Sequence, residues 1–174
     1  MAGSRSLSPA EIIDRLRARF GQDVLSGDDV HGHAVVAVTP GRYAEVATFL
    51  RDEPDLDFDY FDFISAVDYT PKERGFEVVT HVHSTAHNHH ARLKVDAGSQ
   101  EPHAPTLSGV WAGANWCERE TWELFGIVFD GHPHLMKLVL PEQFEGHPLR
   151  KDFALMTREA KPWPGNVEGE EVEE

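Results

Sequence analysis

Cysteine is almost missing from this 174-residue sequence: Cys117 is the only one. A single thiol closes no internal disulfide, which fits a reducing compartment. It also cannot furnish the cysteine set of an iron–sulfur cluster. Long apolar runs are missing too. No stretch approaches the roughly 20 residues that a spanning helix needs, and the opening MAGSRSLSP lacks the apolar region of a signal peptide. The expectation is a cytosolic chain, or one held at a membrane by something else. Cations are scarce: 16 Lys and Arg stand against 30 Asp and Glu, a net charge of -14. Such a surface repels phosphate backbones and anionic lipid heads, which argues against nucleic acid and against electrostatic membrane anchoring. There is no GxGxxG after a strand, no GxxxxGK[ST] and no GxSxG. The chain therefore offers no self-contained nucleotide, flavin or acyl-transfer site.

What is present suits one domain with a real core and is too short for two comfortable ones. Ser8-Pro9-Ala10-Glu11 is a helix start with a capping box, and Ile12, Ile13, Leu16 and Phe20 follow at helical spacing before Gly21. Residues 34–38 are β-branched and compact, as in a buried strand. Thr39-Pro40 opens a second helix with Tyr43, Val46, Ala47 and Leu50 on its apolar face. Strands are expected over 58–67, 75–83, 91–96 and 106–111, with a polar loop over 84–90. Asn115 is expected to cap a helix over 116–125, with Glu118 at the capping-box position and Gly126 as the stop. The pattern predicts an α+β fold, a small two-layer domain of helices on a mainly antiparallel sheet, over residues 1–128.

From Phe129 the character changes. Pro133, Pro141, Pro148, Pro162 and Pro164 punctuate the last third, which excludes long helix or central sheet. Phe144, Phe153, Trp163 and several leucines are too many for a disordered linker. Residues 129–165 are expected to form an extended docking segment that lies on its own domain or on a neighbour. Residues 166–174 carry Glu168, Glu170, Glu171, Glu173 and Glu174, a solvated and disordered tail by composition.

Three groups of residues invite chemistry. His81, His83, His87, His89 and His90 crowd one hairpin, and a third imidazole from across the loop would complete a zinc or nickel site. Tight spacing alone does not make a ligand set, so a polar hairpin with no metal is the expectation. On the helix, Glu118, Glu120 and Glu123 cannot all converge as paired catalytic carboxylates, and Arg119 and Glu123 are spaced to pair on the surface. Cys117 lies among acids that disfavour a thiolate. Trp116, Trp122 and Phe125 among charges suit an interface. The paired stretches FDGHPHLMK and FEGHPLRKDF each make a rigid corner, with Gly before and Pro after the histidine. Arg150 in the second can clamp a carboxylate. Two such corners, each preceded by an aromatic, favour docking over catalysis.

The run ERETWELFGIVFDGHPHLMKLVLPEQFEGHPLRKDF, Glu118 to Phe153, resembles the signature of the 30 kDa subunit family (the C subunits) of NADH-quinone oxidoreductase, respiratory complex I. Two details depart from the family pattern: Glu123 stands where Asp is common, and Leu135-Met136-Lys137 where Leu-Arg-Arg is common. The resemblance implies a subunit without catalytic, cofactor-binding or metal-binding residues of its own. FMN, Fe-S clusters and quinone would reside in partner subunits, electrons would pass from NADH to quinone there, and proton translocation would be coupled to this. The implied partners are other peripheral-arm subunits, especially the D subunit near the quinone cavity, and also the B and I subunits. The implied location is the cytoplasmic side of the cell membrane, peripheral and held through the complex. The chain would be a separate C subunit, without the fused D portion. The partner-docking residues would be Glu118, Arg119, Glu120, Trp122, His132, Pro133, Gly146, His147, Pro148, Leu149, Arg150, Lys151, Asp152 and Phe153. The equivalent subunit of a related membrane-bound hydrogenase or other quinone-reducing dehydrogenase remains open, as do a freestanding His-cluster metal protein and a small hydrolase working through Glu118 and Glu120.

Overall fold

The computed structural model describes residues 6–72 and 74–154. The expected acidic tail and the segment beyond Ala154 lie outside the described residues. The first helix, α1 (Pro9–Phe20), starts as its residues dictate. Ser8 Oγ accepts from the Glu11 N–H, and the Glu11 carboxylate accepts from the Ser8 N–H, so two orphan donors are satisfied reciprocally. Ile12, Ile13 and Leu16 are its buried stripe. Gly21, at φ 56, closes it.

Strand β1 (Val24–Val30) and strand β2 (His33–Val38) form a hairpin through His31-Gly32, both at positive φ as a type I′ turn requires. Strand β1 is not among the expected elements. It is an outer strand with only Val24 buried, so its sequence, VLSGDDV, carries almost no apolar signal. Helix α2 (Tyr43–Asp52) buries the expected Tyr43, Val46, Ala47 and Leu50. Strands β3 (Tyr60–Asp68), β4 (Phe76–Ser84) and β5 (His89–Gly98) then run as an antiparallel meander. The main sheet has the order β1-β2-β5-β4-β3, and its single parallel pair, β2 with β5, joins hairpin to meander.

Alternation sorts the sheet into two faces. Ala34, Val36 and Val38 of β2, Val78 and Val82 of β4, and Ala91, Leu93 and Val95 of β5 join the buried residues of the helices in one core. Tyr43 is fully buried in it and hydrogen-bonds the Thr80 hydroxyl. Their neighbours in sequence, His33, Val35, His81, His83, His90 and Arg92, point to the other face. This is the expected two-layer α+β arrangement.

After β5 the chain departs from expectation in detail. The strand β6 is His103–Pro105, not 106–111; the latter residues form turns ahead of α3 (Ala114–Phe125). Strand β7 (Val128–Asp130) pairs with β6 in parallel. Phe129 is fully buried there, so the expected boundary between residues 128 and 129 falls inside a strand of the globule. Beyond β7 the described chain is irregular and lies along α3.

Candidate docking surface

Helix α3 begins without a side-chain cap: its N-cap is Gly113, not Asn115. Glu118 is therefore free of capping and is turned fully inward. Its carboxyl accepts from the Leu107 N–H and the Thr106 hydroxyl, both at 2.5 Å, and so ties down the turn before the helix. Burial pushes its pKa up to about 7, against the pull of those two donors. The buried imidazole of His132 lies 4.0 Å away. Its Nδ1 accepts from the His134 N–H at 3.0 Å, which leaves Nε2 as the donor to the Asn115 carbonyl at 3.2 Å. The first GHP corner is thus pinned to the start of α3.

Glu123 does not pair with Arg119. Its carboxylate accepts from three successive N–H groups, Leu138 at 2.8 Å, Val139 at 3.0 Å and Leu140 at 2.6 Å. Burial alone would raise its pKa, but the three donors outweigh burial and hold it below the usual range. Arg119 donates instead to the Met136 and Lys137 carbonyls. The Lys137 ammonium gathers the carbonyls of Pro141, Glu142 and Phe144 at 3.3, 3.0 and 2.7 Å. These two departures from the family pattern, Glu123 and Lys137, both stitch the ribbon to itself or to α3.

The second corner closes the other end of the helix. An α-helix leaves its last carbonyls without intrahelical partners. Here the Glu123 carbonyl pairs with His147 Nδ1 at 2.8 Å, the Leu124 carbonyl accepts from the Leu149 N–H at 3.1 Å, and the Phe125 carbonyl accepts from Arg150 Nε at 2.5 Å. A Cβ on Gly126 would lie 2.6 Å from both Arg150 Nη2 and His147 Nε2, so this close approach relies on glycine, which its φ of +75 also favours. The Arg150 guanidinium covers the Phe76 ring at 5.0 Å, and the Lys151 N–H donates to Asp68 at 2.7 Å.

Five of the expected docking residues have bonds within the chain. Glu118, Arg119, His132, His147 and Arg150 face the chain's own backbone, because α3 and the ribbon present unpaired carbonyls and amides that polar side chains must satisfy. Of the remaining expected docking residues, Pro133, Gly146, Leu149, Lys151 and Asp152 are exposed, while Glu120, Trp122, Pro148 and Phe153 are half-buried. Phe153 stacks on Phe144, centroids 6.0 Å apart. The outward surface is apolar at several points: Trp116 is 60% exposed, Met136 46%, Val139 61% and Leu149 48%. Of these, only Leu149 belongs to the motif-based set. Trp116 was legible as an aromatic among charges, whereas Met136 and Val139 had no signal apart from lying in the ribbon.

The five hairpin histidines separate. His87 and His89 bond the Pro54 and Leu56 carbonyls on the helix side, whereas His81, His83 and His90 lie on the opposite face.

Comparison with known proteins agrees with the fold. The family model of the respiratory-chain NADH dehydrogenase 30 kDa subunit matches residues 36–159. The NADH-quinone oxidoreductase C subunit of Roseiflexus sp. (strain RS-1) is 43% identical over 154 residues, covering 88% of each chain. The NADH-quinone oxidoreductase C/D subunit of Serratia proteamaculans (strain 568) is 38% identical over 169 residues, which are 93% of this chain and 28% of that longer one. A trypsin-resistant fragment of Nqo5 superposes with a TM-score of 0.60 at 26% identity, over 72% of this chain and 98% of the fragment. The chain belongs to the 30 kDa subunit family of the respiratory-chain NADH dehydrogenase, the family of the NADH-quinone oxidoreductase C subunits.

Proposed function

We propose that this chain is a non-catalytic structural subunit in the peripheral arm of a proton-translocating NADH:quinone oxidoreductase. It docks onto the D subunit near the quinone cavity, beside the B and I subunits, while FMN, Fe-S clusters and quinone in those other subunits carry the electrons. The observation that carries the reading is the polarity of the ribbon over 131–154. Lys137 and Arg150 are turned inward as clamp and cap, and Met136, Val139 and Leu149 are left facing out beside Trp116. Apolar side chains held outward on a braced segment gain little in water and are suited to burial by a partner.

Two further facts support the same reading. The Serratia relative carries the C and D names on a single polypeptide, so there the two parts are tethered side by side. No described helix is long and apolar enough to cross a membrane, so attachment on the cytoplasmic side of the cell membrane would be peripheral and through the complex. The test places an aspartate at Val139, or at both Val139 and Leu149, and follows co-purification with the partner subunits from membranes. Assembly should fall at least tenfold while the melting temperature of the isolated chain stays within about 2 °C of wild type, since only exposed side chains change and the Val139 and Leu149 N–H groups keep their partners. Normal assembly of both variants would refute the dock.

A further inference from the structure

The face of the sheet away from the helices holds a cluster that the subunit role does not use. His33 on β2, His90 on β5 and His81 on β4 come from three neighbouring strands. The register Ala34↔Ala91 sets His33 beside His90, and the register His83↔His90 places His81 one diagonal step away. One ring nitrogen from each residue falls within 4.8 Å of the other two. In each ring a nitrogen is buried and makes no hydrogen bond: His33 Nδ1, His81 Nε2 and His90 Nδ1. Three orphaned imidazole nitrogens at one spot are costly unless something accepts their lone pairs.

We propose that His33, His81 and His90 form a binding site for a divalent transition-metal ion, Zn²⁺ in the first instance, which ties β2, β5 and β4 together on the uncovered face. Imidazole nitrogen is a preferred donor for Zn²⁺, and three histidines with a fourth position left to water is a recognised coordination pattern.

Asp62 supplies the orienting contact that such a site needs. Its carboxylate lies 2.8 Å from His81 Nδ1. A carboxylate is acceptor-only, so Nδ1 carries the proton and the lone pair is left on Nε2, the orphaned atom. Burial lowers the pKa of His33 and His90, with Arg92 adding to the effect at His33 and neighbouring imidazoles adding to it at both.

The cluster must adjust to bind. The three rings are stacked, with interplanar angles of 22°, 18° and 5° and centroids 5.3, 4.8 and 5.5 Å apart. Lone pairs in near-parallel planes do not converge. Rotation about the terminal torsions, which are broad for histidine, must bring the nitrogens to roughly 3.3 Å, the spacing set by Zn–N bonds of about 2.0–2.1 Å. Arg92, on the same face, opposes the ion with its positive charge. The sequence pattern did not lead to this set, because its third ligand, His33, lies far upstream of the 81–90 cluster and only the parallel β2–β5 pairing delivers it.

The untagged full chain, stripped with EDTA, is titrated with Zn²⁺ by calorimetry and with Co²⁺ by visible absorption. One ion per chain is expected, with an absorption band of low-symmetry nitrogen coordination and a raised melting temperature. His33→Gln and His81→Gln should each lose at least tenfold in affinity, and Asp62→Asn about 10–100-fold. His87→Gln, on the other face, should bind as wild type. Circular dichroism of the metal-free variants checks that each is folded, and the exposed Asp62 carboxylate keeps the test alive if a strand histidine is needed for folding. No saturable one-to-one uptake by the wild-type chain, or uptake unchanged in both His33→Gln and Asp62→Asn, would overturn the site.

Discussion

A carboxyl group as deeply buried as Glu118 keeps its proton longer than one in water. The unfolded chain releases it near 4.5 and the folded chain near 7. Between those values the folded state binds more protons, so this group makes stability fall as pH rises through the window and contributes no slope above it. Glu118→Gln keeps an acceptor for the Leu107 N–H and a donor toward Thr106, and it does not ionise. Urea unfolding should therefore show the variant close to wild type at pH 4.5 and more stable at pH 8, by roughly 2–3 kcal/mol. Equal pH slopes in the two proteins would mean that another group titrates. The same residue shows where sequence reasoning stopped. Glu118 occupies a capping-box position by spacing, but a helix that starts earlier, at Gly113, leaves that box empty, and only the fold supplies Leu107 as its partner.

At the scale of elements, caps were legible when both partners were neighbours in sequence. Ser8 and Glu11 are three residues apart and could be paired on paper. The C-terminal carbonyls of α3 are satisfied from residues 147–150, across a run of prolines, and no local pattern announces that. Rigid GHP corners with nearby cations look alike whether they meet a foreign carboxylate or a carbonyl of their own chain. Because Arg150 holds the Phe125 carbonyl and covers Phe76, Arg150→Ala should destabilise the isolated chain by about 1–3 kcal/mol, visible as a drop of several degrees in melting temperature. An unchanged melt, with loss of assembly only, would return the arginine to the role of an outward anchor.

For the molecule as a whole, the buried face of the sheet was legible from alternation, and so was the β3 edge, but the β1 edge was not. Strand β1 is polar because it lies at the rim, and β6 and β7 are too short to show a period. Phe129, which opens the proline-rich third, belongs to the core. A chain ending at residue 128 should accordingly be less stable than one ending at residue 130 by about 3 kcal/mol, the scale of a buried phenylalanine, as measured by denaturant unfolding. Matching curves would show that β7 belongs to the appended ribbon. The β2–β5 pairing has its own consequence for biosynthesis. A ribosome delivers the β1–β2 hairpin first, then β3 and β4, and β5 last, so the inner edge of β2 must wait without its neighbour while two other strands emerge. During that interval Ala34, Val36 and Val38 are an open seam for misplaced partners, and holding the nascent chain apart until residue 98 clears the exit tunnel is what a chaperone would have to do.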